Sequence, residues 1–268
     1  MNGTVTVYAD IVRYRELFAS LFRRDLNAKY KGSALGLAWS LANPLLLMGI
    51  YFLVFAVLWP VSDLQHYALY LLAGLTMWIF FSTSLQAASR SMIDYAELIK
   101  KVRFPRQLVA FSVVAAQLVT FGVMLVILIV LSLIIVPGAR GTVWLSIPLA
   151  VLFVGLVFGV ALVVASANVV FRDVEHILAA ALLPWFFLTP ILYRFESISG
   201  FQKHHTAVEI LRWGNFVTPP LYALRDTIWA GHLPRAADVI YLVVAAVVAL
   251  ALGAFVFTRV DDRIAVEL

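Results

Sequence analysis

Cysteine is absent from the 268 residues, which excludes disulfides and thiol chemistry and decides nothing about compartment. A phosphate loop of the form G-x-x-x-x-G-K-[ST] is missing as well, so the chain carries no recognisable ATP site. The five histidines, His66, His176, His204, His205 and His232, lie in connections and show no paired metal-ligand spacing. No nucleophile, base and orienting group can be assembled from one membrane face. Charge itself is scarce, at 13% of residues against about 25% in soluble domains. The long apolar runs are almost free of ionisable side chains, and the charges stop at their edges: Arg90, Arg106, Arg172, Asp173, Arg194 and Arg259. Ion-coupled carriers keep such groups inside the membrane, where they hold the coupling ion or proton. Their scarcity argues against a proton-coupled carrier and for energy that arrives from outside the chain.

What is present is apolar. Hydrophobic residues make up 63% of the chain and the mean hydropathy is +0.96, well above the roughly 45–50% apolar content of soluble domains. This is the composition of an integral membrane protein, rich in Phe (19), Tyr (10) and Trp (7). The net charge of +5 is read as Lys and Arg gathered on the cytoplasmic side rather than as a footprint for nucleic acid. No cleavable signal peptide is evident in the first 35 residues.

Residues 8–31 have helical apolar spacing (Ile11, Tyr14, Phe18, Leu21, Phe22), interrupted by Asp10, Arg13, Glu16, Arg23, Arg24 and Asn27. The pattern predicts an amphipathic helix in the headgroup plane, or one packed on a partner, with Gly32 permitting a turn after it. Six runs are long enough to span a bilayer: 36–59, 67–89, 107–136, 143–170, 177–193 and 237–258. Pro44 is expected to bend the first or end its first half-turn. Six crossings put both termini on one side. Fourteen Lys and Arg fall on that side and six on the other, which places both termini in the cytoplasm. The chain then reads as one membrane domain over 1–268: an interface segment over 1–35, the spans over 36–258 and a tail over 259–268.

Between the second and third spans lies Ser91–Arg106, SMIDYAELIKKVRFPR. Ser91-x-x-Asp94 has the form of a capping box. Ile93, Leu98, Ile99 and Val102 can make an apolar side, with Tyr95 and Phe104 as further contacts. Lys100, Lys101 and Arg103 crowd the last turn, where cations suit the helix dipole, and Pro105 ends it. The plain alternative is an ordinary positive-inside loop. Residues 207–216 and 220–230 each have a helical apolar pattern too short to span. Aromatics share helix faces: Tyr67, Tyr70, Trp78 and Phe81 with Gly74 on the second span; Tyr51, Phe55 and Trp59 on the first; Trp185, Phe186 and Tyr193 on the fifth. Such rings can stack on sugars, or form an ordinary membrane belt. Gly155-x-x-x-Gly159 permits close helix approach, within the subunit rather than at a dimer seam.

Several motifs in order resemble the permease subunit of ABC exporters for polysaccharides, the family that exports O-antigen, capsule and wall teichoic acid precursors. They are Tyr30-Lys31-x-Ser33-x-Leu35-Gly36-x-x-Trp39 with Pro44 and Phe55; Gly74 with Trp78, Phe80 and Phe81; Lys100-Lys101-Val102-x-Phe104-Pro105; Phe171-Arg172-Asp173-Val174; Thr189-Pro190-Ile191-x-Tyr193; and Thr218-Pro219-Pro220 with Tyr222 and Arg225, where Asn-Pro is more usual. The resemblance covers almost the whole chain. It implies an all-α integral membrane fold with six transmembrane helices, an amino-terminal amphipathic interface helix, a cytoplasmic coupling helix and two short re-entrant gate helices before the last span. It implies a homodimer in the cytoplasmic (inner) membrane of a bacterium or archaeon, bound to two ATP-binding cassette subunits that hold the ATP and magnesium. This chain itself would hold no cofactor or metal and perform no catalysis. Coupling to the ATPase would fall to Asp94, Glu97, Lys100, Lys101, Arg103 and Phe104, to Arg172 and Asp173, and to Arg23 and Arg24. A glycan path would use Tyr51, Phe55, Tyr67, Tyr70, Trp78, Phe81, Trp185 and Tyr193, and the gate Trp213, Pro219, Pro220, Tyr222 and Arg225. Other expectations are the same machine with a drug, lipid or haem cargo, or a membrane-embedded glycan-assembly enzyme or scaffold.

Overall fold

The computed structural model describes residues 2–30, 37–58, 64–195 and 205–267, all-helical apart from turns and short extended links. Residues 31–36, with Lys31, Gly32, Ser33, Leu35 and Gly36, lie outside the described residues, as do Trp59 and 196–204. The elements in order are α1 (Asn2–Arg13), α2 (Arg15–Tyr30), α3 (Leu37–Phe52, continued by a wider π-helical segment Leu53–Leu58), α4 (Tyr67–Asp94), α5 (Ala96–Lys101), α6 (Gln107–Ile135), α7 (Ser146–Val170, preceded by 3₁₀ turns), α8 (Val174–Leu188), α9 (His205–Gly214), α10 (Thr218–Arg225, continued by a π segment Asp226–Ala230) and α11 (Ala236–Glu267).

Among the described residues, four helical stretches are long and apolar enough to cross a membrane: Tyr67–Asp94, Gln107–Ile135, Val143–Val170 and Ala236–Asp261. Ala42–Leu58 and Val174–Leu188 are shorter apolar helices. The protein is therefore a multi-pass membrane protein. Its centre is α4, whose most apolar window is 83% buried, against 28% for α6 and for α11. Around α4 stand α6, α7, α3, α8 and α10. Phe80 of α4 stacks on Phe121 of α6 at 4.5 Å and meets Phe153 of α7 at 6.2 Å.

The closest helix approach joins α7 to α11. A Cβ on Gly159 would stand 2.3 Å from the Ala249 carbonyl carbon, and one on Gly253 2.6 Å from the Gly159 carbonyl oxygen. Both obstacles are backbone, so small residues are required. The close contact is thus within the subunit. Gly155 meets only the Leu250 side chain, at 3.7 Å, whereas Gly159 faces the Ala249–Leu250 backbone and Gly253 faces Gly159.

Helix ends differ from the sequence reading for local reasons. The second span runs on as helix to Asp94, because the Ser91 hydroxyl donates to the Ala88 carbonyl at 2.7 Å instead of capping a new helix. α5 begins at Ala96 after Tyr95 and has no side-chain cap. α8 stops at Leu188. Thr189 is extended, with ψ 130, as the residue before Pro190 prefers. Pro44 stays inside α3 without ending it. The amino-terminal helix starts at Asn2 and breaks at Tyr14 into two pieces. Its apolar side lies on the chain's own helices: α1 packs on α11, α2 on α6, and Val7 and Leu21 are buried.

Candidate functional site

One end of the bundle gathers the cations. α5 turns Ile99 inward and leaves Lys100, Lys101 and Arg103 exposed, with Asp94 and Glu97 beside them. Glu97 pairs with Lys101 at 3.0 Å on the open surface, where such a pair contributes at most about 1 kcal/mol. Ile93 and Val102, expected on the apolar side, instead face outward, 39% and 52% exposed, because the chain breaks at Tyr95 and not at Ser91. Phe104 is half-buried.

Tyr95, between α4 and α5, is the pivot of this end. Its hydroxyl donates to the Asp25 carboxylate of α2, which also accepts from the Ser112 hydroxyl of α6 at 2.6 Å. The Arg24 guanidinium lies 3.9 Å over the Tyr95 ring, and Arg23 is exposed. Burial, and then the hydrogen bond to Asp25, push the Tyr95 phenol well above its ordinary pKa. Farther along, Gln107 donates to Asp10 at 2.7 Å, and Arg106 bonds Asp261 of α11. The two ends of the Ser91–Arg106 stretch are therefore tied to α2, α1 and α11.

A second turn projects at the same end. Phe171, Arg172 and Asp173 are exposed between α7 and α8. Buried Asn168 holds them: its amide donates to the Ser89 carbonyl at 2.8 Å and its oxygen accepts from the Glu175 backbone at 2.9 Å. Glu175 also pairs with Arg90 at 2.7 Å. Sequence reasoning passed over Asn168. Its only signal was an amide inside an apolar span, where a polar group needs a partner.

Between α3, α4 and α8 a cleft of about 330 Å³ runs along the bundle, lined by Asn43, Tyr51, Trp78, Ser82, Gln86 and Phe186 among others. Tyr51 stacks on Phe186 at 5.8 Å. Trp185 meets Phe81 and Phe216 at 5.2 Å each, and its indole N–H donates to Asn215 at 2.9 Å. Phe81 and Tyr70 are buried among protein side chains, Tyr67 nearly so, and Phe55 is half-buried against the core.

At the other end, the backbone after α8 is unwound yet buried at Thr189–Leu192, so its carbonyls need partners. Tyr67 donates to Leu192 at 2.7 Å, and Tyr70 to Tyr193 at 2.6 Å. Arg225 of α10, 3% exposed, donates to Pro190 at 2.6 Å, Ile191 at 2.7 Å and Tyr70 at 3.2 Å. Its guanidinium lies 3.5 Å from the Tyr70 ring centroid. A Cβ on Gly74 would come within 2.3 Å of its Nη2 atom, so glycine leaves the passage for the side chain. Pro219, Pro220 and Tyr222 are buried in α10, whereas Trp213 sits at the surface end of α9. Arg212 beside it donates from one nitrogen, Nη2, to both carboxylate oxygens of buried Asp238 at 3.1 Å and lies 4.9 Å over Tyr222. Among the described residues, no group of three or more His, Asp or Glu converges to hold a metal.

Residues 16–229 match the family model described as ABC-2 type transporter. The chain is 36% identical over 196 residues to the O-antigen export system permease protein RfbA of Myxococcus xanthus, a stretch covering 72% of this chain and 74% of that one. It is 33% identical over 186 residues to a protein of the same name from Klebsiella pneumoniae and 35% identical over 188 to another, each match covering 68% of this chain and 71% of the relative. With the family model matched over most of its length and these relatives alongside, the chain belongs to the ABC-2 type transporter membrane family.

Proposed function

We propose that the chain is the permease subunit of an ATP-driven exporter that moves a polysaccharide or lipid-linked glycan outward across the cytoplasmic membrane. The observation that carries this reading is the likeness to permeases named for O-antigen export over more than two thirds of the chain. The geometry fits it. Exposed cations and apolar side chains on α5 and on the Phe171–Asp173 turn make one composite surface at a single end of the bundle, suited to two ATP-binding cassette subunits that hold the nucleotide and magnesium. The clamp at Tyr95 would carry their motion into α4, α2 and α6.

The finer topology is part of the proposal. Ala42–Leu58 and Val174–Leu188 complete six crossings, α5 is the coupling helix, α9 and α10 are the re-entrant gate pair, and both termini are cytoplasmic. α8 is about 22 Å long, short of the roughly 30 Å hydrocarbon core; the buried Thr189–Leu192 stretch completes its passage. The faces of α3 and α8 beside the cleft carry exposed Leu46, Ile50, Val57, Leu183 and Phe187, which a second copy of the chain would cover. The cleft then becomes one wall of a path in which Tyr51, Trp78 and Phe186 offer rings and Asn43, Ser82 and Gln86 offer hydrogen bonds to a glycan.

The test is charge reversal of Lys100, Lys101 and Arg103 together. The expected result is loss of surface glycan and of glycan-stimulated ATP hydrolysis by the copurified complex. Normal export in that variant would refute the coupling role, and covalent turnover of a glycan by the isolated chain would replace the permease reading with an enzyme.

A further inference from the structure

We propose that the end of the bundle opposite the coupling helix carries a binding site for a sugar or polyol unit bearing a phosphate or carboxylate. The proposal rests on the export reading for its biological sense and on a separate part of the molecule for its evidence. A cavity of about 710 Å³ opens there, where the start of α4, the end of α6, the chain after α8 and the α10–α11 connection meet. That volume falls within the roughly 300–1,000 Å³ of small-molecule sites. Unlike the wholly apolar groove between α7 and α11, suited to lipid chains, this one is lined by Arg194, Arg235, His66, His232, Asp226 and Trp229.

The lining is held in place by the protein. The Trp229 indole N–H donates to the Gln65 carbonyl at 2.7 Å, which fixes the ring. The Arg194 guanidinium lies 5.6 Å from that ring. His66 holds a left-handed backbone, φ 53, alone in this among the described non-glycine residues; such strain is tolerated where surrounding structure enforces it. Gly231, at φ 69, is pressed against the backbone of Gly138 and Ala139, where a Cβ would meet atoms at 2.9 Å. This contact joins the α10–α11 turn to the 3₁₀ turn that follows α6, beside the cavity-lining Pro137 and His232.

The chemistry of the lining is that of a charged saccharide. An indole face accepts the apolar side of a sugar ring. Two arginines give paired donors to a phosphate or carboxylate. Asp226 can accept hydroxyl hydrogen bonds that an arginine cannot. Arg194 is also near enough to buried Arg225 for the two cations to repel. An anion at Arg194 would relieve that repulsion and so be sensed at the pin that holds α10 to the unwound end of α8.

The same group could come from the exported glycan or from a lipid headgroup, and the experiment separates them. Binding of glucose 1-phosphate, glucuronic acid and glucose is measured by calorimetry on the intact permease–ATPase complex, in nanodiscs of phosphatidylcholine alone or with phosphatidylglycerol. The two anionic sugars are expected to bind and glucose not. The Arg194→Gln/Arg235→Gln variant should weaken binding about tenfold or more, with its elution volume and ATPase content unchanged. Retained binding in phosphatidylglycerol assigns the site to the saccharide; competition by that lipid assigns it to the headgroup. The proposal is overturned if the charged sugars bind no better than glucose, or if the arginine variant and a Trp229→Ala variant both bind as the parent does. Loss of the site with glycan export intact would leave the permease reading standing. An unimpaired charge-reversal variant of α5 would remove the coupling role and leave the sugar titration unaffected.

Discussion

Arg225 is a buried cation that meets carbonyl oxygens and the face of an aromatic ring. Removing a guanidinium from water is costly, and here three carbonyls and the Tyr70 face offset the cost. The same contacts satisfy backbone that α8 leaves unpaired, so the residue serves both sides of the junction. Arg225→Met should cost about 1–3 kcal/mol for each carbonyl left without a donor, read as a lower midpoint of thermal unfolding in nanodiscs. Gly74→Ala should cost about 1–3 kcal/mol by overpacking, because its methyl meets Nη2 at 2.3 Å. The two positions share that contact, so their effects should fall short of additivity: without a guanidinium the methyl has room. Strict additivity would show that Gly74 is not there for Arg225. Neither half of this pair was readable as a contact in the sequence. Each stood out through a motif, Gly74 also as a glycine on an aromatic face, and the guanidinium is brought against Gly74 by main-chain carbonyls, which no pattern of side chains reveals.

At the scale of elements, α5 is short, uncapped and half-exposed, so its position depends on its neighbours. Tyr95 supplies the anchor through Asp25 of α2 and, by way of that carboxylate, Ser112 of α6. Tyr95→Phe keeps the ring beneath Arg24 and removes the hydroxyl; Asp25→Ala removes the shared acceptor. Both are expected to lower glycan export per ATP hydrolysed severalfold, with the ATPase subunits still bound. Lys101→Ala, which breaks only the exposed pair with Glu97, should change stability by less than about 1 kcal/mol. Equal coupling in Tyr95→Phe and the parent would mean that the clamp only packs. The sequence made the basic interruption and its place between two spans legible, because charge scarcity elsewhere isolates Lys100, Lys101 and Arg103. It misplaced the start of the helix, since a serine preceding an apolar turn can cap or bond back to its own helix, and Ser91 does the latter. It also extended the fifth apolar run through Thr189 and Pro190, where hydropathy continues but the helical backbone cannot. The amphipathic pattern of the amino terminus was plain, while the surface it docks on, α6 and α11, is reached by apolar packing and polar contacts between residues far apart in the chain.

At the scale of the whole molecule, the helices sort their ends into two groups. Tyr95, Arg106, Asn168 and Asp261 make contacts at one end, and His66, Pro137, Arg194 and Arg235 line one cavity at the other. α8 belongs to both, through Glu175 at its start and through the Pro190 carbonyl, held by Arg225, just past its end. A helix of about 22 Å would leave the hydrocarbon core unfinished unless the unwound residues after it remain at membrane depth, and their carbonyls are satisfied there as that depth demands. The absence of cysteine makes the topology directly measurable, because each introduced thiol is the only one. In spheroplasts, a membrane-impermeant maleimide is expected to label Arg140→Cys and His232→Cys. Glu97→Cys and Phe171→Cys should react only after permeabilisation. The decisive pair is Phe171 and His232: opposite sidedness requires an odd number of crossings between them, and among the described residues α8 is the one apolar helix there that can supply it. Labelling of both from outside would put α8 on one side of the membrane and leave Arg172 and Asp173 unable to meet an ATPase that reaches Lys100 and Lys101, whereas labelling of neither would keep α8 inside and reverse the sidedness of everything after it.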